Sequence, residues 1–200
     1  MILQAALLFA GLSVTASAST CCPPVRFSAV QYVTIVNSTF ANDALYSFIY
    51  DGIKQKYVIS GDLSNGFVTT TKVIYDYPKR TGFRIDTVAR TCSAFRLQGQ
   101  FKDQESVCVP SGAVSLGPFF YGYDVGRLSS RVYSYNSTSV NGEHKKVVAT
   151  VTRKDCVPIV ITTTTTDGQG GNALKVLGYN DVVPGIRDFT VFDIPSYCSM

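Results

Sequence analysis

The chain has 200 residues, 46% of them apolar and 16% charged, a balance that argues against intrinsic disorder and allows a substantial buried core. Its net charge of +4 comes from eighteen scattered Lys and Arg against fourteen acids, with no basic run longer than two residues, as at Lys145-Lys146. Nucleic-acid readers cluster such charge, so no nucleic-acid partner is expected.

Residues 1–18 carry no charged side chain. An apolar run over 2–12 leads to Ala16-Ser17-Ala18, the small-x-small exit of a secretory signal peptide. A membrane span needs about 20 apolar residues, which neither this run nor any later one supplies. The expected product is a secreted single domain of residues 19–200 with no transmembrane segment. Cys21, Cys22, Cys92, Cys108, Cys156 and Cys198 all fall in it. An even cysteine count behind an export signal implies disulfides, and six cysteines allow about 15 pairings. Asn37-Ser38-Thr39 and Asn136-Ser137-Thr138 are acceptor sequons for N-glycans.

Twelve Tyr, twelve Phe and many Val and Thr favour strands. Residues 25–36 alternate loosely. Segments 45–50 and 53–60 flank Asp51-Gly52, a strong hairpin dipeptide. Segments 67–75 and 83–89 flank a turn with Pro78 and Gly82, and 119–123 and 131–135 come next. Asn141-Gly142 turns into 146–153, where Val147, Ala149 and Val151 share one face. The β-branched run 157–166 ends in a Gly-rich loop over 167–171, and 173–179 and 189–194 close the series. One short helix is expected near 181–187, limited by Pro184 and Gly185. Successive short strands with tight turns predict an all-β protein of antiparallel sheets, in a sandwich or a barrel-like half-shell.

Catalytic chemistry is scarce in this sequence. His144 is the only histidine, there is no Gly-x-Ser-x-Gly elbow, and bridged cysteines leave no thiol nucleophile or zinc cluster. A non-enzymatic protein is the expectation. There are twelve Asp but only two Glu, and no Asp-x-Asp-x-Asp-Gly loop. Asp181, Asp188 and Asp193 are candidate calcium ligands, although Asp more commonly caps turns. Phe48, Tyr50, Tyr57, Phe67, Tyr75, Phe83, Phe119, Tyr121 and Tyr133 are candidates to line an apolar cavity, against ordinary core packing.

The carboxy-terminal stretch Gly185-Ile186-Arg187-Asp188-Phe189-Thr190-Val191-Phe192-Asp193-Ile194-Pro195-Ser196-Tyr197-Cys198 resembles the ending of the ependymin family. Cys22-Pro23-Pro24, Tyr50-Asp51-Gly52, Phe83-Arg84-Ile85-Asp86 and Lys154-Asp155-Cys156-Val157-Pro158 are similar to its other landmarks, more loosely between Gly99 and Asn136. The resemblance implies two antiparallel sheets curved into a half-open barrel with a deep apolar pocket, similar to bacterial lipoprotein carriers. It implies a secreted or lysosomal glycoprotein, often a homodimer, associated with calcium, with cell–matrix contact and with lipid or other hydrophobic ligands. It also implies bridges joining Cys22 to Cys156 and Cys92 to Cys198, with Cys21 and Cys108, which depart from the vertebrate pattern, as the remaining pair. Two roles follow: binding of a hydrophobic, lipid-like ligand in a sheet pocket, or calcium-dependent adhesion in the extracellular matrix.

Overall fold

Eleven antiparallel strands join edge to edge in the computed structural model, which describes residues 21–61, 70–101, 107–138, 142–166 and 172–198. They are β1 (Arg26–Val36), β2 (Ala41–Asp51), β3 (Lys56–Ser60), β4 (Thr71–Asp76), β5 (Thr81–Asp86) and β6 (Thr91–Arg96), then β7 (Val114–Tyr121), β8 (Leu128–Thr138), β9 (His144–Thr152), β10 (Pro158–Thr166) and β11 (Asn172–Pro184). β1 to β6 form one meander and β7 to β11 a second. Pairing of β1 with β11 fuses them in the order β6-β5-β4-β3-β2-β1-β11-β10-β9-β8-β7. The protein is all-β, as the strand-rich composition predicts, but the expected two sheets are one continuous sheet among the described residues.

Three other expectations differ. The helix anticipated over 181–187 is absent because β11 runs through Pro184, and Pro184 falls at its end, where the ladder tolerates a missing donor. The strand expected over 189–194 is a 3-10 turn, Phe189–Phe192, capped by Asp188, whose carboxylate accepts from the Thr190 amide at 2.8 Å. The edge strand β6 was not predicted: Thr91-Cys92-Ser93-Ala94-Phe95-Arg96 is mostly exposed and has no apolar alternation to read.

Strand alternation divides the sheet into two faces. On the first, Phe27, Tyr50, Tyr57, Tyr75, Gly82 and Phe95 follow one another rung by rung from β1 to β6. Gly82 completes the row by leaving room: a Cβ there would run into the Phe95 ring, which in turn meets Tyr75 edge-on at 5.8 Å. On the second face, Ile49, Val58, Ile74 and Phe83 form the corresponding row. The carboxy-terminal tail covers it with Phe192, Ile194, Tyr197 and Cys198. That packing explains why the ending is so distinctive in sequence. Arg26 and Lys54 each lie 5.2 Å from the centre of the Phe189 ring, and Arg90 sits 5.5 Å from that of Tyr197.

Two acids are buried where the strands end. Asp51 pairs with Arg26 at 3.2 Å and Asp76 with Lys56 at 2.7 Å, and both also accept turn amides. The Tyr50-Asp51-Gly52 motif is therefore a structural cap.

Disulfides join Cys21 to Cys156, Cys22 to Cys108 and Cys92 to Cys198. The pairing implied for the first two is thus corrected by an exchange of neighbours. Cys21 faces Val109 across a short antiparallel bridge, which puts Cys22 directly opposite Cys108 on the next rung, Cα to Cα 4.2 Å. Adjacent side chains on extended backbone point to opposite sides, so Cys21 is aimed inward at Cys156.

Three outcomes test this architecture. Gly82→Ala should displace Phe95 and lower stability by about 1–3 kcal/mol, the usual cost of overpacking, read from denaturant unfolding. Cys198→Ser should remove about 4–5 kcal/mol of chain-entropy stabilisation and make the tail the first site of limited proteolysis. The Asp188 carboxyl is held below its ordinary value of 3.8, chiefly by the Thr190 hydroxyl at 2.8 Å and then by the Thr190 amide. A carboxylate with a depressed folded pKa stabilises the fold above its unfolded pKa and loses that contribution as pH falls through the folded one. Thr190→Val should therefore move the Asp188 titration upward in an NMR experiment.

Candidate functional site, an aromatic face closed by a crossover

β6 and β7 are consecutive in the chain but lie at opposite edges, so residues 97–113 must cross the sheet. The described parts of this connection, 97–101 and 107–113, lie over the aromatic face. Phe101 stacks on Tyr50 with centroids 5.3 Å apart and meets Tyr77 edge-on at the same distance. Leu97 and Val107 are buried in the same cluster.

Beneath the crossover, Phe48 is the hub. Its ring lies 5.9 Å from Phe27, 6.3 Å from Tyr50, 5.8 Å from Tyr57 and 6.0 Å from Tyr179. Tyr57 and Tyr75 stack at 4.2 Å with planes 14° apart. Towards β8 the face continues through Leu177, Ile161, Ala149 and Tyr133, again rung by rung, under Cys21 and Val109. Burial pushes the Tyr135 phenol above its ordinary pKa, so it stays protonated and able to donate. Gln31 is a buried polar residue on this face, only 3% exposed, in register with Tyr46 on one side and Tyr179 on the other.

The arrangement can hold apolar groups. Burial of apolar area stabilises by about 25 cal/mol per square ångström, and aromatic pairs add about 0.5–1.5 kcal/mol each. Phenol and amide groups at the margin can meet a polar end.

Of the aromatic residues singled out in the sequence, Phe48, Tyr50, Tyr57 and Tyr75 come together in this cluster, and Tyr133 lies on the same face further along. Phe83 is a correction: one residue beyond Gly82, it points to the opposite face and packs under the tail. Phe119 and Tyr121 are also corrections. Their rungs with Ser130 and Leu128 place them opposite Tyr133, exposed on the edge strand. Phe67 lies outside the described residues. Phe27, Tyr77, Phe101 and Tyr179 belong to the site and were not anticipated. Phe27 and Tyr179 sat within expected strands and alternation could have flagged them, whereas Tyr77 in a turn and Phe101 in the crossover had no local signal.

The calcium candidates do not converge. Among the described residues no three His, Cys, Asp or Glu side chains are placed to hold a metal ion. Asp188 instead caps the tail turn, and Asp181 is an exposed residue of β11. His144 is exposed at the start of β9, in an open cleft of about 410 Å³ with Asn136, Lys145, Lys146, Thr164 and Thr166. Both sequons reach the surface, Asn136 exposed and Asn37 half-buried. Asn136 is exposed on β8, and Asn37 accepts from the Thr39 amide, the Thr39 hydroxyl and the Phe40 amide at 2.8–2.9 Å in the β1–β2 turn.

One open sheet, aromatic on the face spanned by its own crossover and stapled by three disulfides, defines a class of extended β scaffold. Family comparison gives it a place: the Ependymin profile matches residues 66–198. The chain is 61% identical over 200 residues to Ependymin-related protein 1 of Haliotis asinina, covering 100% of both chains. It is 51% identical over 199 residues to Ependymin-related protein 2 of the same organism, covering 99% of both. The chain belongs to the ependymin family. Among solved structures it is similar to a LolA superfamily protein from Nitrosomonas europaea, with TM-score 0.41 and 10% identity over 87% of this chain and 92% of that one. A DUF1329 family protein from Desulfovibrio piger gives TM-score 0.41 and 9% identity over 85% and 90%. No helix among the described residues is long and apolar enough to cross a membrane.

Phe48→Ala should cost about 3–5 kcal/mol in denaturant unfolding, because four rings lose their common contact. Phe119→Ala, at the exposed edge, should change stability by no more than about 0.5 kcal/mol.

Proposed function

We propose that this ependymin-family chain is an exported glycoprotein that binds a hydrophobic, lipid-like ligand on the aromatic face, between sheet and crossover, and carries out no catalysis. The observation that carries the reading is the Phe48-centred cluster, spread over β1 to β4 and β11 and closed by a segment that crosses instead of adding a strand. Each methylene taken from water contributes about 0.8 kcal/mol, so an acyl chain needs few polar contacts. Gln31, with Tyr46 and Tyr179 on either side, is the candidate partner for the ligand's polar end.

Export rests on residues 1–18 as a signal peptide, leaving 19–200 as the mature domain, and is supported by six cysteines all in disulfides. A glycan on Asn136 fits the exposure of that residue, and Asn37, half-buried itself, is followed by the exposed Ser38 and Thr39. A matrix-adhesion role is the second reading. It is favoured by the two sequons lying at one end of the sheet, where glycans could gather calcium and matrix partners that protein carboxylates do not.

Native mass spectrometry of protein secreted from eukaryotic cells, before and after organic extraction, is the test. A mass difference restored by adding a fluorescent fatty acid supports the carrier reading, and Gln31→Leu should weaken that rebinding by about tenfold if it holds the polar end. Protein that is ligand-free, takes up no fatty acid and leaves insoluble matrix only with a chelator would replace the carrier reading with the adhesive one.

A further inference from the structure

The β7–β8 hairpin ends in an exposed apolar tip that the aromatic-face reading does not use. Tyr123 is 92% exposed and Val125 99%, with Phe119, Phe120, Tyr121 and Leu128 also exposed around them. Scattered apolar residues on a surface are ordinary, whereas six within ten positions at a hairpin end form a patch of the kind that marks an interaction site.

The backbone presents these side chains and does not fold them away. Gly122 and Asp124 adopt left-handed φ values of +86° and +53°, the Asp124–Gly126 turn follows, and the Arg127 amide returns to the Asp124 carbonyl at 3.4 Å. A side chain at Gly122 would come within 3.3 Å of the Gly126 carbonyl oxygen, so the turn is closed tightly beneath the tip. Arg127 lies 4.9 Å from the Phe120 ring centre. Beside it stands the β9–β10 turn, with the Arg153 amide bonded to the Ser129 carbonyl at 3.0 Å. Arg127 thus sits at the tip itself, and Arg153 and Lys154 stand in the neighbouring turn, against the acids Asp124 and Asp155.

Position completes the case. Asn136 is eight residues along β8 from Leu128, about 26 Å at roughly 3.3 Å per residue. Asn37 lies beyond Val36, at that same far end, because the rungs Asn136–Lys146, Lys146–Thr164, Thr164–Leu174 and Leu174–Val36 run straight across the sheet. Both sequons therefore face away from the tip.

We propose that the Tyr121–Leu128 tip is a membrane-interface anchor that seats in the headgroup region of an anionic bilayer, leaving both sequons on the aqueous side. Tyr suits that region because its ring is apolar and its hydroxyl is polar, and the neighbouring Arg and Lys meet anionic phosphates. A second copy of this chain fits less well. β7 is an edge strand, but its register breaks between Ser115 and Gly117 and Pro118 lacks an amide donor, so a continuous strand-to-strand contact is interrupted.

The experiment is co-sedimentation of the mature, glycosylated, oxidised chain with large vesicles. One set is pure phosphatidylcholine and the other contains about a third phosphatidylserine. The wild type should partition onto the anionic vesicles and fall off in high salt. Tyr123→Asp with Val125→Asp should lower that partition at least about tenfold, while Val88→Asp, at an exposed apolar site in the β5–β6 turn at the sequon end, should leave it unchanged. Fatty-acid uptake without vesicles should be equal in all three proteins, which separates failure of the anchor from failure of the carrier reading. The proposal is overturned if the wild type ignores anionic vesicles, if the double variant still binds, or if Val88→Asp loses as much. It is overturned too if light scattering shows the wild type as a dimer that the double variant dissolves.

Discussion

Placing β6 and β7 at opposite edges of one sheet obliges the chain to travel its full width between them. Ten strand spacings of about 4.8 Å amount to roughly 48 Å, and the eighteen steps from Arg96 to Val114 reach about 60 Å when fully extended. The described residues of the crossover lie against the face they cross, with Leu97, Phe101 and Val107 in the aromatic cluster and Val109 beside Tyr133. The Phe101 stack on Tyr50 and Tyr77 fixes it near one edge, and the Cys22–Cys108 bridge fixes it towards the other. Aromatic face, cover and disulfide framework all follow from that one topological demand.

The opposite face is organised by a different device. There the tail lies over Ile49, Val58, Ile74 and Phe83, and Cys92–Cys198 ties it to the edge strand β6. One edge of the sheet is thus protected by a covalent strap. The other, β7, is guarded by a bulge and a proline. Charged groups are placed where strands terminate: Asp51, Asp76 and Asp86 each close a turn by accepting backbone amides, which accounts for the Asp-rich, Glu-poor composition. Asp reaches its own backbone two or three residues on, which the longer Glu side chain does less well.

Much of this was legible beforehand. The β-branched run of β10 and the shared face of Val147, Ala149 and Val151 announced their strands, and Asp51-Gly52 marked its turn. The side of the sheet was harder to read. Phe83 follows Gly82, so the aromatic residue looked like the inward one, whereas the inward position belongs to the glycine and is filled from β6 by Phe95. An edge strand without apolar alternation, as in β6, gives periodicity nothing to detect. The cysteines could not be assigned for a similar reason. Whether Cys21 or Cys22 faces Cys108 depends on a one-residue register in a two-strand bridge, a distance of one side-chain alternation that spacing along the chain does not encode. Phe101 joins the cluster only because the topology brings a connecting segment to it.

The joint between the meanders sets the order in which the molecule can be made. β1 finds β2 at once through the Asn37 turn, but its other flank is completed by β11, with Phe27 beside Pro184. During synthesis that bare backbone, at what becomes the centre of the sheet, stays unpaired until nearly the whole chain has emerged. Assembly is thus delayed to its final strand, and until then β1 is open to pairing with another chain.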